Sequence, residues 1–282
     1  MKIVSTVNDL RKILGEHIKN KPLGFVPTMG ALHEGHLSLV KKSMAENQLT
    51  LCSIFVNPTQ FNNAKDLENY PNPLNADLKL LEEVGCDIVF TPTKEEIYPK
   101  DFSSPAYDFG ALAEVMEGAN RPGHFEGVAM VVSRLFDLVK PQKAYFGEKD
   151  FQQLAIIQSL VKQDLLPIEI VSCPIAREKN GLAMSSRNLR LSKEHQQAAP
   201  RIYERLQLAA SMVGNNSIEQ VKLRIENAFL ADLNLNLEYF EISNPTTLEA
   251  SKKWSDSEAH IACIAVFAGE IRLIDNILFR IN

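Results

Sequence analysis

The chain has 282 residues, 45% hydrophobic and 23% charged, with a formal net charge of −5, enough apolar material for two domains with separate cores. The acidic balance argues against a nucleic-acid partner, which would need clustered Lys and Arg, and no apolar run approaches the roughly 20 residues of a membrane span. Met1-Lys2-Ile3-Val4-Ser5-Thr6 lacks the apolar block of a signal peptide, so a cytoplasmic location is expected. The four cysteines, Cys52, Cys86, Cys173 and Cys263, stand far apart and read as reduced core residues rather than a metal or redox motif.

In chain order, Phe25 to Pro27 form a buried strand, followed by a helix over about 35–48 and an apolar strand at 51–56. The pattern repeats with a helix from about 76 to 84, Gly85 as its stop, and a strand at 87–90. Val128, Val131, Val132, Leu135, Phe136 and Val139 recur at helical spacing up to Pro141. Strands at 144–146 and 168–173 then flank a helix carrying Leu154, Ile157, Val161 and Leu165. Strands separated by helices predict an α/β fold, a Rossmann-like parallel sheet with right-handed crossovers and helices on both faces, over residues 1–174.

The pattern changes near Pro174. A polar stretch, Arg177-Glu178-Lys179-Asn180-Gly181, reads as a mobile loop; beyond it come a helix over about 193–212, a second opened by the Ser217-x-x-Gln220 capping box, and strands near 237–242, 259–267 and 271–273. This predicts a smaller C-terminal α+β domain over 175–282, with antiparallel strands.

Chemistry concentrates at the first strand's exit, Thr28-Met29-Gly30-Ala31-Leu32-His33-Glu34-Gly35-His36. Strand, glycine turn and helix start make an anion site, because a helix N-terminus leaves about four amides without intrahelical partners and carries partial positive charge. His33 and His36 lie three apart and share a face if the helix has begun by His33, and imidazoles donate hydrogen bonds where phosphate gathers charge. Alone, His-x-x-His also fits two surface histidines or a metal pair, although His-Glu-Gly-His is one residue short of the zinc-binding His-Glu-x-x-His motif. Asn57-Pro58-Thr59-Gln60-Phe61 and Gly147-Glu148-Lys149-Asp150 also follow strands directly, so the three segments are expected on one rim, where α/β sheets bind ligands. In the second domain, Met184-Ser185-Ser186-Arg187-Asn188 offers hydroxyls and a guanidinium suited to phosphate oxygens.

Together with Arg121-Pro122-Gly123-His124-Phe125-Glu126-Gly127-Val128 and the continuation Phe151-Gln152-Gln153, these five segments, taken in chain order, resemble the pantothenate synthetase (pantoate–β-alanine ligase) family of the nucleotidyltransferase superfamily. The resemblance implies ATP-dependent condensation of pantoate with β-alanine through an acyl adenylate, in a cytoplasmic homodimer. It implies ATP binding by Met29, Gly30, Ala31, Leu32, His33, Glu34, Gly35 and His36, by Gly147, Glu148, Lys149 and Asp150, and by Ala176, Met184, Ser185, Ser186 and Arg187. Catalytic roles fall to His33, His36, Lys149 and Arg187. Gln60 and Gln153 are implied as the pantoate pair, with Asn57, Arg121 and His124 also in the substrate pocket. Magnesium is implied by ATP chemistry, and Asp77 matches an acidic position that could hold it, although helix capping explains an Asp there equally well. Two positions depart from the family pattern: Tyr70-Pro71-Asn72-Pro73 lacks an Arg common after Tyr-Pro, and Ala176 replaces a Val. Rival readings are a nucleotidyltransferase making a dinucleotide or CDP-linked product, which would need no Gln60 and Gln153 pocket, a tRNA-charging enzyme, disfavoured by size and acidity, and a non-catalytic ATP-binding module.

Overall fold

Six short strands form one parallel sheet in the computed structural model, which describes residues 1–17, 21–103 and 105–281. The chain order is β1 (Lys2–Val4), α1 (Val7–His17), β2 (Leu23–Thr28), α2 (Glu34–Glu46), β3 (Leu49–Ile54), α3 (Ala64–Glu68), α4 (Leu74–Val84), β4 (Ile88–Phe90), α5 (Lys94–Ile97), α6 (Met116–Asn120), α7 (His124–Val139), β5 (Lys143–Gly147), α8 (Phe151–Gln163) and β6 (Glu169–Cys173). Laterally the strands run β1-β4-β3-β2-β5-β6. From β2 the chain winds outward through β3 to β4, then returns to β2's other side for β5 and β6. The winding reverses between β2 and β5, and in open α/β sheets a ligand crevice lies beyond the carboxyl ends at such a reversal.

Alternate residues of each strand serve opposite faces. Val26, Cys52, Val89 and Tyr145 join Leu37 and Val40 of α2 and Leu81 of α4 in one apolar cluster. Phe25, one residue earlier in β2, meets Phe136 of α7 edge-on at 6.3 Å, and Phe136 also meets Phe146 of β5 at 6.4 Å. Helices therefore cover both faces, as the near-continuous apolar strands require. Full burial of Phe25, Phe136 and Leu81 stabilises the layers by about 1.5–3 kcal/mol per side chain.

The chain forms two compact units. The first comprises Met1–Phe109, Arg121–Glu148 and Gln153–Pro174; the second comprises Gly110–Asn120, Lys149–Gln152 and Ile175–Asn282. A single cut after residue 174 therefore misses two short segments, 110–120 and 149–152, and side chains explain both. Arg272 donates to both oxygens of Glu117 at 2.7 and 2.8 Å, and the Tyr239 hydroxyl donates to Glu117 at 2.8 Å. The Gln152 amide donates to Leu112 and Val115 carbonyls and accepts from the Glu117 amide.

The rest of the second unit is α9 (Lys193–Ala198), α10 (Arg201–Ser211), α11 (Ile218–Leu230), β7 (Asn236–Ser243), β8 (Ala259–Ala268) and β9 (Ile271–Arg280), the strands antiparallel in the order β7-β8-β9. Ile202, Leu206, Val221, Ile225 and Phe229 of the helices pack with Ile242, Ile264 and Val266 of the sheet. The Ser217–Gln220 box forms as expected, at 3.2 and 2.8 Å.

Several elements differ from the sequence pattern. The exposed edge strand β1 and helix α1 precede the first expected strand; of three residues in β1 only Val4 is buried, too short a signal to read. The helix expected over 193–212 is two helices divided at Ala199-Pro200, where proline has no amide to give and crowds the preceding turn. Leu165 lies beyond α8 with φ +49° and is 87% exposed, not on the helix's inner face. Among the described residues no helix is long and apolar enough to cross a membrane.

Candidate active site

At the exit of β2 the backbone turns through two left-handed residues, Gly30 (φ +81°) and Ala31 (φ +49°). A Cβ on residue 30 would lie 3.0 Å from an Asp77 carboxylate oxygen, so a side chain there would be strained by the left-handed backbone and tight in space. Asp77, 1% exposed on α4, accepts from the Ala31 amide at 2.8 Å and the Leu32 amide at 2.7 Å. Burial pushes its carboxyl pKa up, and the two amides pull it back down. The carboxylate thereby holds the strained turn.

His33 is the N-cap of α2, which begins at Glu34 rather than Gly35. Its Nδ1 accepts from the Gly35 amide at 3.1 Å, while the His36 Nδ1 accepts from the His33 amide at 3.3 Å. This is a capping box built from two imidazoles, their ring centroids 4.1 Å apart. An Nδ1 that accepts carries no proton, so each neutral ring carries its proton on Nε2. The amides of Ala31, Leu32, His33 and Gly35 thus have protein acceptors.

Beyond β3, Asn57 caps a 3-10 turn, Pro58–Gln60. The Asn57 side-chain oxygen accepts from the Tyr98 hydroxyl and the Thr59 hydroxyl, both at 2.9 Å; its amide nitrogen donates to Gly127 O and to Gln60 Oε1, both at 3.1 Å. These bonds fix both amide orientations: Gln60 keeps its oxygen toward Asn57 and its NH₂ near Met29 Sδ, 3.0 Å away. His124, 5% exposed, donates from Nδ1 to Gln60 O at 2.8 Å and accepts at Nε2 from Arg121 at 3.1 Å. His124 and Arg121, expected in the pocket, thus brace the Gln60 backbone. A Cβ on Gly127 would meet Thr59 O at 2.3 Å, which shows how closely α7 approaches this turn.

Gly147 ends β5, adjacent to β2, and Glu148–Asp150 form a 3-10 turn leading into α8, which carries Gln153. In the second unit, the Lys149 ammonium lies 3.7 Å from the Asp150 carboxylate. Residues 177–183 form a tight hairpin rather than an open loop: Arg177 bridges Ala183, and Glu178 and Leu182 pair at 2.8 Å around Gly181 (φ +91°). Ala176 O accepts from the Met184 amide at 2.9 Å. Ser185 caps the 3-10 turn Ser186–Arg190, its hydroxyl oxygen accepting from the Arg187 amide at 3.2 Å. Ser186 is buried.

The described residues contain no group of three or more His, Cys, Asp or Glu side chains that could hold a metal ion. Asp77 is 1% exposed and each of its oxygens accepts from an amide, of Ala31 and of Leu32, so bracing the turn accounts for the carboxylate without a metal. Sequence reasoning missed that bracing role, together with Tyr98 and the close packing at Gly127. Tyr98 gives no local signal, but a glycine inside an otherwise apolar helix points to close packing.

A family model described as pantoate-beta-alanine ligase matches residues 2–278. A pantothenate synthetase from Bacteroides fragilis is 48% identical over 281 residues, 99% of each chain, and one from Porphyromonas gingivalis is 47% identical over 99% of this chain and all of its own. The crystal structure of a Thermus thermophilus pantothenate synthetase superimposes with a TM-score of 0.92 at 42% identity, covering 98% of this chain and 99% of that one. On this whole-length agreement of sequence and structure, the chain belongs to the pantoate-beta-alanine ligase family.

Proposed function

We propose that this chain condenses pantoate with β-alanine, converting ATP to AMP and diphosphate. A pantoate carboxylate oxygen attacks the α-phosphorus, the bond to the bridging oxygen breaks and diphosphate leaves. The amine of β-alanine then attacks the acyl carbon of the adenylate, AMP departs and the amine loses its proton. Two steps are needed because a carboxylate is a poor electrophile, and the mixed anhydride must be kept from water in between. The Francisella tularensis pantoate-beta-alanine ligase, 35% identical with a TM-score of 0.82 over 99% of this chain and 97% of that one, is described as complexed with Beta-gamma ATP and Beta-alanine, which supports both ligands here.

The observation that carries this reading is the imidazole capping box. Both rings are held through Nδ1, so the Nε2–H groups donate to phosphate oxygens as diphosphate gathers charge, without having to reorient. Lys149 and Arg187 supply positive charge to the phosphates, and the Ser185 hydroxyl, accepting from Arg187's amide, keeps its proton to donate. Gln60 and Gln153 bind pantoate; Asn57 turns the Gln60 NH₂ into a fixed donor for the acid. Magnesium enters with the ATP phosphates, and no step is assigned to an ion held by side chains. A cytoplasmic homodimer completes the reading. Pantoate-dependent exchange of labelled diphosphate into ATP, without β-alanine, tests it; exchange independent of pantoate would refute the acid substrate and the adenylate together.

A further inference from the structure

We infer that Asp275 and Asn276, neighbours in the middle of β9, are positioning residues for adenylation that hold the Lys149 turn and the 176–187 segment in one rigid arrangement. The inference rests on the assignment of Lys149 and Arg187 to the ATP phosphates. It begins from an oddity: β9 is an edge strand of its sheet with several half-buried or exposed positions, yet two consecutive polar residues in it are buried, 4% and 5% exposed, opposite Ile264 and Cys263 of β8. Burying a carboxylate and an amide is unfavourable unless both are well partnered, and apolar residues would satisfy the same sheet positions. Their partners therefore indicate what they are for.

Asp275 grips Arg177 with both oxygens, at 2.6 and 2.9 Å, and accepts from the Asn276 amide at 2.8 Å. The Arg177 guanidinium lies over the Tyr203 ring, 3.6 Å from its centroid, and donates to Gly181 O at 3.1 Å. A planar fork with a bidentate partner, a stacked ring and a carbonyl has one orientation. Arg177 is also the first paired residue of the hairpin that closes at Ala183, immediately before Met184 to Arg187. The Asn188 side chain locks the far end, donating to Glu178 at 2.9 Å and Ala183 O at 3.1 Å. One residue along β9, Asn276 donates from its side chain to Lys149 O at 3.0 Å. Adjacent residues of one strand thus anchor the two segments that carry the proposed phosphate cations. Because successive side chains of a strand leave opposite faces, the pair ties one segment on each side of β9 to the same piece of backbone. This also accounts for the second unit taking in the short segment Lys149–Gln152, although the chain before Lys149 and after Gln152 belongs to the first.

The test compares the two half-reactions in purified full-length protein. Asn276→Ala removes the tie to Lys149, and Asp275→Asn keeps the shape but releases Arg177. Misplacing the cations should lower pantoate-dependent diphosphate–ATP exchange roughly 10- to 100-fold and raise the ATP requirement, with the pantoate requirement changed less than about 2-fold. Conversion of supplied pantoyl adenylate by β-alanine, which no longer involves the departing phosphates, should stay near wild type. Folded variants with wild-type exchange would overturn the inference; so would equal loss of both half-reactions in step with loss of folded protein, which would assign the pair to stability alone. Lys149→Ala and Arg187→Ala separate the two levels: if they leave exchange intact the phosphate assignment itself fails, and if they abolish it while Asn276→Ala and Asp275→Asn do not, only the positioning role fails.

Discussion

Replacing His33 by Asn and by Ala should separate the two tasks of the imidazole. Its Nδ1 caps α2 by accepting from the Gly35 amide at 3.1 Å, and its Nε2–H is assigned to the phosphates. Asn is among the best N-cap residues and its side-chain oxygen lies where Nδ1 does, so His33→Asn should unfold within a few tenths of a kcal/mol of wild type. His33→Ala loses the cap as well, about 1 kcal/mol, or roughly 2–4 °C in the unfolding midpoint of a domain of 150–250 residues. Neither variant keeps the distal donor, and removing one transition-state donor lowers the rate about 10²- to 10³-fold, equivalent to about 2.7–4 kcal/mol. Diphosphate–ATP exchange and thermal unfolding on the same preparations give both readouts. Near wild-type exchange by His33→Asn, or equal destabilisation by the two substitutions, would refute the division of labour between the ring nitrogens.

His36→Ala should likewise fold and lose exchange about 10²-fold or more; retained exchange would remove it from the phosphate site. Gln60→Ala leaves Asn57 with Gly127 O as its remaining acceptor and pantoate without a donor, a cost of about 1–3 kcal/mol. It should raise the pantoate requirement more than the ATP requirement, and steady-state titration of each substrate decides. Asp77→Asn keeps the shape but can accept from only one of the two amides, so the turn should loosen and adenylation slow while the magnesium concentration for half-maximal activity stays unchanged; a shifted magnesium requirement would restore Asp77 as a metal ligand. Arg187→Lys keeps charge and loses the planar fork, so exchange should fall despite the apparent conservatism, and a wild-type rate would show that charge alone suffices.

Much of the site was legible because its signals are local. Strand, glycine and helix start adjoin within Phe25 to His36, and Gln60 and Lys149 follow strand ends directly. What escaped was set by distant partners. Asp77 reads as a helix-start carboxylate, yet the amides it holds lie 45 and 46 residues away. Asp275 and Asn276 interrupt an apolar alternation and so look like a strand's end near 273, whereas β9 continues to Arg280 because Arg177 and Lys149 partner them. Periodicity records which face is buried; it does not record a buried polar residue whose partner arrives from elsewhere in the chain.

The Glu117–Arg272 pair bears on synthesis as well as on architecture. The two residues are 155 apart in sequence, so at about 5–20 residues per second a nascent chain carries Glu117 for roughly 8–30 s before its guanidinium partner exists. Tyr239, the other donor to Glu117, appears after 122 residues, no earlier than β7. The parallel sheet has all six strands by Cys173, and its core can form on the ribosome while 110–120 and 149–152 remain solvated. The second unit must instead assemble late, since two of its segments, 110–120 and 149–152, are made long before β9, so a stall or truncation between β6 and β9 releases a chain with a finished sheet and a buried-to-be carboxylate still exposed to water.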